Sequence, residues 1–330
     1  MGMGKAIRVG LCLLPLVISF LFAACGTDPS NGGGGINSAP GVTDRFNAVT
    51  VHSSTFASST ASCHAGEQML SGGWAVNTPA YQADKVERGG ISHTIIDEYF
   101  IAASYPSSAN SWTVTFTNQP SAGYVGDVLG IVHVECMSKG KAATIVSQSG
   151  DTNSGNSLTV NCPQGTKLTG GGYRLTNLSQ SNLASIVIDF ETSQPLNLTS
   201  WGVTTDYSIG NLNHFGNNVA VYGVCASNLN VTLGKVTSAT APGATKSGAA
   251  TLGSAQAACP GGASPVGAGY HKTKFDPRAF PITLFYPSYG SNPQSWAVNV
   301  YALPPLTIDS PPITSGGTLN VLPLCASLSA

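Results

Sequence analysis

Three cysteines open three copies of one pattern, and this repetition limits what the chain can fold into more than any other feature. Cys63 is followed 11 positions later by Trp74, Cys162 by Tyr173 and Cys259 by Tyr270. A glycine cluster precedes each aromatic residue: Gly72-Gly73, Gly170-Gly171-Gly172 and Gly267-Ala268-Gly269. A Ser-Trp-x-Val segment follows, at Ser111-Trp112, Ser200-Trp201 and Ser295-Trp296, with Pro106, Pro195 and Pro287 a few residues ahead of it. Each copy ends on a cysteine followed by x-Ser: Cys136, Cys225 and Cys325. The opening cysteines lie 99 and 97 residues apart, a period too long for a solenoid and about right for a small sandwich.

The residues inside each copy favour strands. Trp112, Val114 and Phe116 alternate with threonines, which has the period of two of a half-buried strand. Ala48–Val51, Ala143–Val146 and Val231–Leu233 open the copies. Ile95–Ser104 and Ser185–Thr192 are β-like in composition, and Val128–Cys136 and Val219–Cys225 close the first two copies. No segment keeps a helical period. The expectation is an all-β protein of three tandem antiparallel β-sandwich-like repeats, with six or seven strands and one disulfide each. The copies span 44–138, 139–228 and 229–330.

The first 24 residues read differently. Lys5 and Arg8 precede an apolar run from Val9 to Ala24, shorter than the about 20 residues a spanning helix needs. The run ends Leu21-Phe22-Ala23-Ala24-Cys25, which resembles the lipobox of bacterial lipoproteins, with Phe22 standing where leucine is usual. That resemblance implies cleavage before Cys25 and a diacylglyceryl group on its sulfur. Stable anchoring takes at least two acyl chains, which this modification supplies. The alternatives are a secreted soluble protein or an uncleaved anchor. Residues 25–43, rich in Gly, Ser, Asn and Pro, read as a flexible tether. The expected location is therefore a cell membrane or outer membrane, facing away from the cytoplasm.

The combined motif C-P-x-G…G-G-G-Y…P…S-W-x-V…C, clearest in the second copy, resembles a repeat of exported bacterial proteins, chiefly actinobacterial ones. It covers residues 43–330 and brings no catalytic residues with it. Cys63-His64 departs from the Cys-Pro of the other copies.

Of the eight cysteines, Cys12 leaves with the signal and Cys25 takes lipid. Six cysteines allow 15 pairings. A copy that must close by itself selects Cys63–Cys136, Cys162–Cys225 and Cys259–Cys325. A zinc site is the alternative, but no C-x-x-C occurs and His64 is the one further ligand nearby. No cofactor is implied.

Only 9% of the residues are charged, and the net charge of −1 excludes the basic face that nucleic acid needs. No G-x-S-x-G or H-E-x-x-H occurs. None of the six histidines recurs in all three copies. The repeated tryptophans fit core packing better than a sugar-stacking set. The glycine clusters fit a bulge or close strand approach. Two segments stand out against the uncharged background. An insertion in the first copy carries Tyr81, Arg88 and His93, and the third copy carries His271, Tyr286 and Tyr289 beside Lys272 and Phe285. Long loops on rigid scaffolds often hold binding residues. The expected role is non-catalytic: a lipid-anchored surface protein that binds glycan or an envelope polymer. A hydrolase with its site at the insertion or between copies is the rival reading. A structural envelope spacer is the third.

Overall fold

The strand β8 (Ser111–Pro120) shows how the alternation acts. Trp112, Val114 and Phe116 all turn to the interior and are at most 1% exposed. Its neighbour in the hairpin is β7 (Asp97–Ser108), and Pro106 lies directly opposite Trp112. The same Pro–Trp pairing recurs as Pro195 with Trp201 and Pro287 with Trp296. The conserved proline is thus a cross-strand partner of the tryptophan.

The computed structural model describes residues 36–37, 41–77, 85–88, 91–94, 97–120, 127–138, 141–151, 157–179, 189–206, 218–240, 251–273, 282–288, 295–302 and 317–327. It is an all-β, antiparallel structure. After a two-residue β1 (Ile36–Asn37), repeat 1 supplies β2 (Val42–Val51), β3 (Thr55–Ser62), β4 (Glu67–Asn77), β7, β8 and β9 (Val128–Ser138). A separate hairpin, β5 (Lys85–Arg88) with β6 (Ile91–Thr94), fills part of the insertion. Repeat 2 supplies β10 (Thr144–Asp151), β11 (Ser157–Asn161), β12 (Lys167–Leu175), β13 (Asp189–Pro195), β14 (Ser200–Asp206) and β15 (Asn218–Ala226). Repeat 3 splits its first strand into β16 (Val231–Leu233) and β17 (Thr237–Thr240). It continues with β18 (Thr251–Ala258), β19 (Ser264–Thr273), β20 (Ile282–Ser288), β21 (Ser295–Ala302) and β22 (Thr318–Ala326).

Each repeat is a two-layered sandwich. One layer joins its first, sixth and third strands, and the other joins its fourth, fifth and second. The layers of neighbouring repeats merge edge to edge. Sheet I runs β2-β9-β4-β20-β21-β18, with β1 beyond β2, and so combines repeats 1 and 3. Sheet II runs β10-β15-β12-β7-β8-β3 and combines repeats 2 and 1. Sheet III runs β11-β14-β13-β19-β22-β16, with β17 also on β22, and combines repeats 2 and 3. The three junctions use equivalent bridges: Tyr173 opposite Ser104, Tyr270 opposite Ser193, and Trp74 opposite Phe285. The third junction closes the set into a ring.

Three disulfides cross the sandwiches. Cys63–Cys136, Cys162–Cys225 and Cys259–Cys325 each tie the residue after the second strand to the sixth strand, in the opposite layer. Glu67 also approaches Cys63 and Cys136, but the two sulfurs are bonded to each other and offer no thiolate to a metal.

The three glycines of repeat 2 have three different neighbours. A Cβ on Gly170 would run into Ser71 of repeat 1, one on Gly171 into the Trp201 indole, and one on Gly172 into the Ser104 carbonyl. The cluster therefore lets the central strands meet, seats the tryptophan and admits the next repeat's edge. Gly72 seats Trp112, and Gly73 admits the Phe285 carbonyl, in the same way. A bulge starts each cluster, between Met69 and Ser71, Leu168 and Gly170, and Pro265 and Gly267. The bulged residues Leu70, Thr169 and Val266 are fully buried, and Thr169 Oγ1 donates to the Leu70 carbonyl at 2.7 Å across repeats.

The signal segment and Cys25 lie outside the described residues. Of the residues read as a tether, only 36–37 and 41–43 are described. Ile36 and Asn37 already pair with Asp44 and Thr43, and Val42 is buried in β2, because its apolar side chain belongs to the edge of the core.

At the start of β4, Glu67 accepts two hydrogen bonds from Arg45 at 2.6 and 3.0 Å and one from the His64 amide at 2.7 Å. The Arg45 bonds are the main reason its carboxyl sits below the ordinary 4.5. A lowered folded-state value means that the unfolded chain binds the proton more tightly. This contribution is therefore complete above the unfolded value and is lost as pH falls through the folded one. Urea midpoints of Glu67→Gln should lie below wild type at pH 7 and converge with it as pH falls through the lowered folded-state value. A gap that stays constant with pH would contradict this role.

Candidate binding faces at the repeat junctions

The repeated tryptophans are unavailable to a ligand. Trp112 and Trp201 are 1% exposed and Trp296 is 0%. Trp112 Nε1 donates to Ser104 Oγ at 3.0 Å, and Trp201 Nε1 to Ser193 Oγ at 3.2 Å. In repeat 3 Phe285 occupies the equivalent place, so Trp296 Nε1 has no acceptor among the described residues. An aromatic cluster fills the space instead: Phe285 lies 5.3 Å from Trp296, 5.0 Å from Trp74 and 5.4 Å from Tyr270.

The residues expected to bind do not assemble into one site. Tyr81 and Tyr289 lie outside the described residues. Arg88 and His93 fall on the hairpin β5–β6. His271 and Tyr286, both half-buried, belong to different sheets, III and I. Phe285 and Lys272, beside them in the sequence, are 4% and 6% exposed. Both are buried, so the segment packs into the protein more than it offers a surface.

What the fold does bring together lies on the outer faces of the sheets, where one repeat meets the next. Two positions meet there: the residue before the conserved proline, and the residue three before the closing cysteine. On sheet I these are Tyr286 and His133, stacked at 4.5 Å and 11°. On sheet II they are Tyr105 and Tyr222, with ring centroids 5.0 Å apart. On sheet III the same two positions carry Gln194 and Leu322, with no aromatic ring. In each case the last glycine of the cluster (Gly73, Gly172 or Gly269) stands between the two strands that carry them. A side chain there would prevent the rings from meeting.

The two aromatic faces differ in charge. On sheet I, His133 Nδ1 bonds Asp44 Oδ2 at 2.9 Å, Asp44 is 1% exposed, and Phe46 lies 6.0 Å from the His133 ring. Burial, reinforced by the Asp44 charge, raises the Tyr286 phenol above its ordinary value. On sheet II the exposed Arg174 lies 5.5 Å from the Tyr105 ring centroid, within cation–π reach. Burial raises the Tyr222 phenol, with Arg174 acting in the opposite sense. Both phenols therefore remain neutral hydrogen-bonding groups near neutral pH.

His133 and Asp44 form two parts of an acyl-transfer triad, but the third is missing from their surroundings. Ser71 Oγ donates to the buried Glu135 at 2.6 Å, and His133 bonds to no serine among the described residues. A histidine without a hydroxyl to activate cannot generate a serine nucleophile. Repeats 2 and 3 carry apolar Val224 and Leu324 where repeat 1 has Glu135.

Sequence reasoning missed Tyr105, Tyr222, Arg174, His133, Phe46 and Asp44. Tyr105, Tyr222 and His133 were within reach of the repeat alignment, because Tyr105, Gln194 and Tyr286 precede the prolines and His133, Tyr222 and Leu322 precede the last cysteines by three. Those columns vary, so they leave no repeated motif. No protein-family model matches the chain, and no curated protein matches it in sequence.

Proposed function

We propose that this chain is an exported, lipid-anchored and non-catalytic binding protein whose target is a glycan or another polymer of the cell envelope. The observation that carries the reading is the pair of aromatic faces at equivalent junctions, the half-exposed Tyr105–Tyr222 and the half-exposed Tyr286 stacked on the buried His133. Flat aromatic rings flanked by polar groups suit a pyranose, whose C–H face packs on the ring while its hydroxyls exchange hydrogen bonds. Three disulfides favour an oxidising compartment, in keeping with the signal and lipobox at Cys25. The closed ring supports a rigid presenter of those faces, which lowers the ordering cost of binding.

Two measurements test this. Mass analysis of the mature protein should give an N-terminus at Cys25 carrying acyl chains; an unmodified thiol there would remove the anchor. A glycan array probed with the full chain should give signals that fall when Tyr105 and Tyr222 are replaced. Silence across all glycans would leave the envelope spacer as the better account.

A further inference from the structure

From the registers of sheet II we infer that its outer face is an acidic-polysaccharide platform, with Tyr105 and Tyr222 beneath the sugar rings and Arg174 on their carboxylate or phosphate. The inference rests on the binding role above and gives that role one site and one ligand class.

Residues opposite one another in an antiparallel ladder share a face. Ser58 faces Thr115 and Thr60 faces Thr113. Thr113 in turn faces Tyr105, and Thr115 faces Ala103. Ala103 faces Arg174, Arg174 faces Ala220, and Tyr222 faces Ser147. One surface therefore runs across all six strands, about 24 Å at the usual strand spacing. Two aromatic rings stand at its centre, with hydroxyl rows on both flanks. The hydroxyls are already ordered: Ser58 Oγ lies 2.8 Å from Thr115 Oγ1, and Thr60 Oγ1 lies 2.7 Å from Thr113 Oγ1. Ser58, Thr60, Ser147 and Arg174 are exposed, and both rings are half-exposed.

Charge decides the class of sugar. The whole chain holds 14 Lys and Arg, and Arg45 is committed to Glu67. Arg174 has no carboxylate partner among the described residues, and its position at the other two junctions is taken by Ala75 and His271. An exposed guanidinium held over a tyrosine ring presents its fork to an anion. A neutral glycan would leave the positive charge of Arg174 without a counterion. A polymer bearing one anion per residue or two would meet it in several registers, which raises the effective concentration of the next sugar.

The test is affinity electrophoresis or calorimetry on the full chain in detergent. The probes are polygalacturonate and alginate for carboxylates, poly(glycerol phosphate) for phosphate, and dextran as the neutral arm. Binding to at least one acidic polymer is expected, weakened by salt, with dextran at least 10-fold weaker. Arg174→Ala should lose about 10-fold and Tyr105→Ala/Tyr222→Ala more, whereas Tyr105→Phe/Tyr222→Phe keeps the stacking and most of the affinity. Thr159→Ala, on sheet III, should change nothing. Unaltered thermal melting separates loss of the site from loss of the fold. Equal binding of dextran with a silent Arg174→Ala overturns the acidic specificity. Acidic-polymer binding that survives the double alanine variant overturns the site and leaves the binding role standing. No binding to any polymer overturns both.

Discussion

Trp201→Ala should lower the stability of the whole protein by about 4 kcal/mol, the range found when a large buried aromatic is truncated. The indole is 1% exposed, rests on Gly171 across the sandwich and donates to Ser193. Its removal empties the centre of repeat 2 and takes from the Ser193 hydroxyl the donor that it accepts from. Neighbouring strands cannot collapse into the space, because the disulfide Cys162–Cys225 fixes the layers and the junction strands fix the edges. Urea unfolding followed by circular dichroism should show one transition moved to lower urea with an unchanged slope. A small shift confined to a minor phase would mean that repeat 2 unfolds alone, against the shared sheets.

The second large effect concerns that disulfide. Replacing both Cys162 and Cys225 by alanine should cost about 4 kcal/mol, since the bond closes a loop of some 60 residues and restricts the unfolded chain. The bond ties the residue after β11, in sheet III, to β15, in sheet II. Opening it loosens two sheets at once and, through them, both neighbouring repeats. Thermal unfolding of the double variant should therefore stay a single transition at lower temperature. Three separate transitions would show that each copy stands by itself. A variant as stable as the parent would show that the bond restrains nothing.

These two experiments probe what the sequence left open. The markers of the repeat were legible because each has a strict local cause: a glycine cannot be larger beneath Trp112 or Trp201, and a cysteine needs its mate. The three disulfide pairs and the burial of the tryptophans follow from the same order. The merging of neighbouring sandwiches was not legible. The observed bridges between repeats are short, such as Leu284 with Ala75 and Phe285 with Trp74, and two paired residues impose no hydrophobic period. The second strand of each copy also escaped notice. β3, β11 and β18 are built from Ser, Thr, Ala, Asn, Gln and Gly with few large apolar residues, because their inward positions face bulky partners and need only small side chains. The aromatic faces at the junctions were hidden for a different reason. The positions that form them differ between copies, so a search for sameness passes over them.

The ring has a bearing on how the molecule is made. A chain threaded across a membrane from its N-terminus delivers β4 early and β20 late, yet these two strands are neighbours. Until more than half of repeat 3 has emerged, β4 presents a bare edge of the kind that recruits stray strands. The pairing that completes sheet I joins Trp74 to Phe285, on the far side of repeat 2, and contacts of such long reach form slowly. For the exported chain proposed above, folding thus ends in a closure that no product lacking β20 can perform.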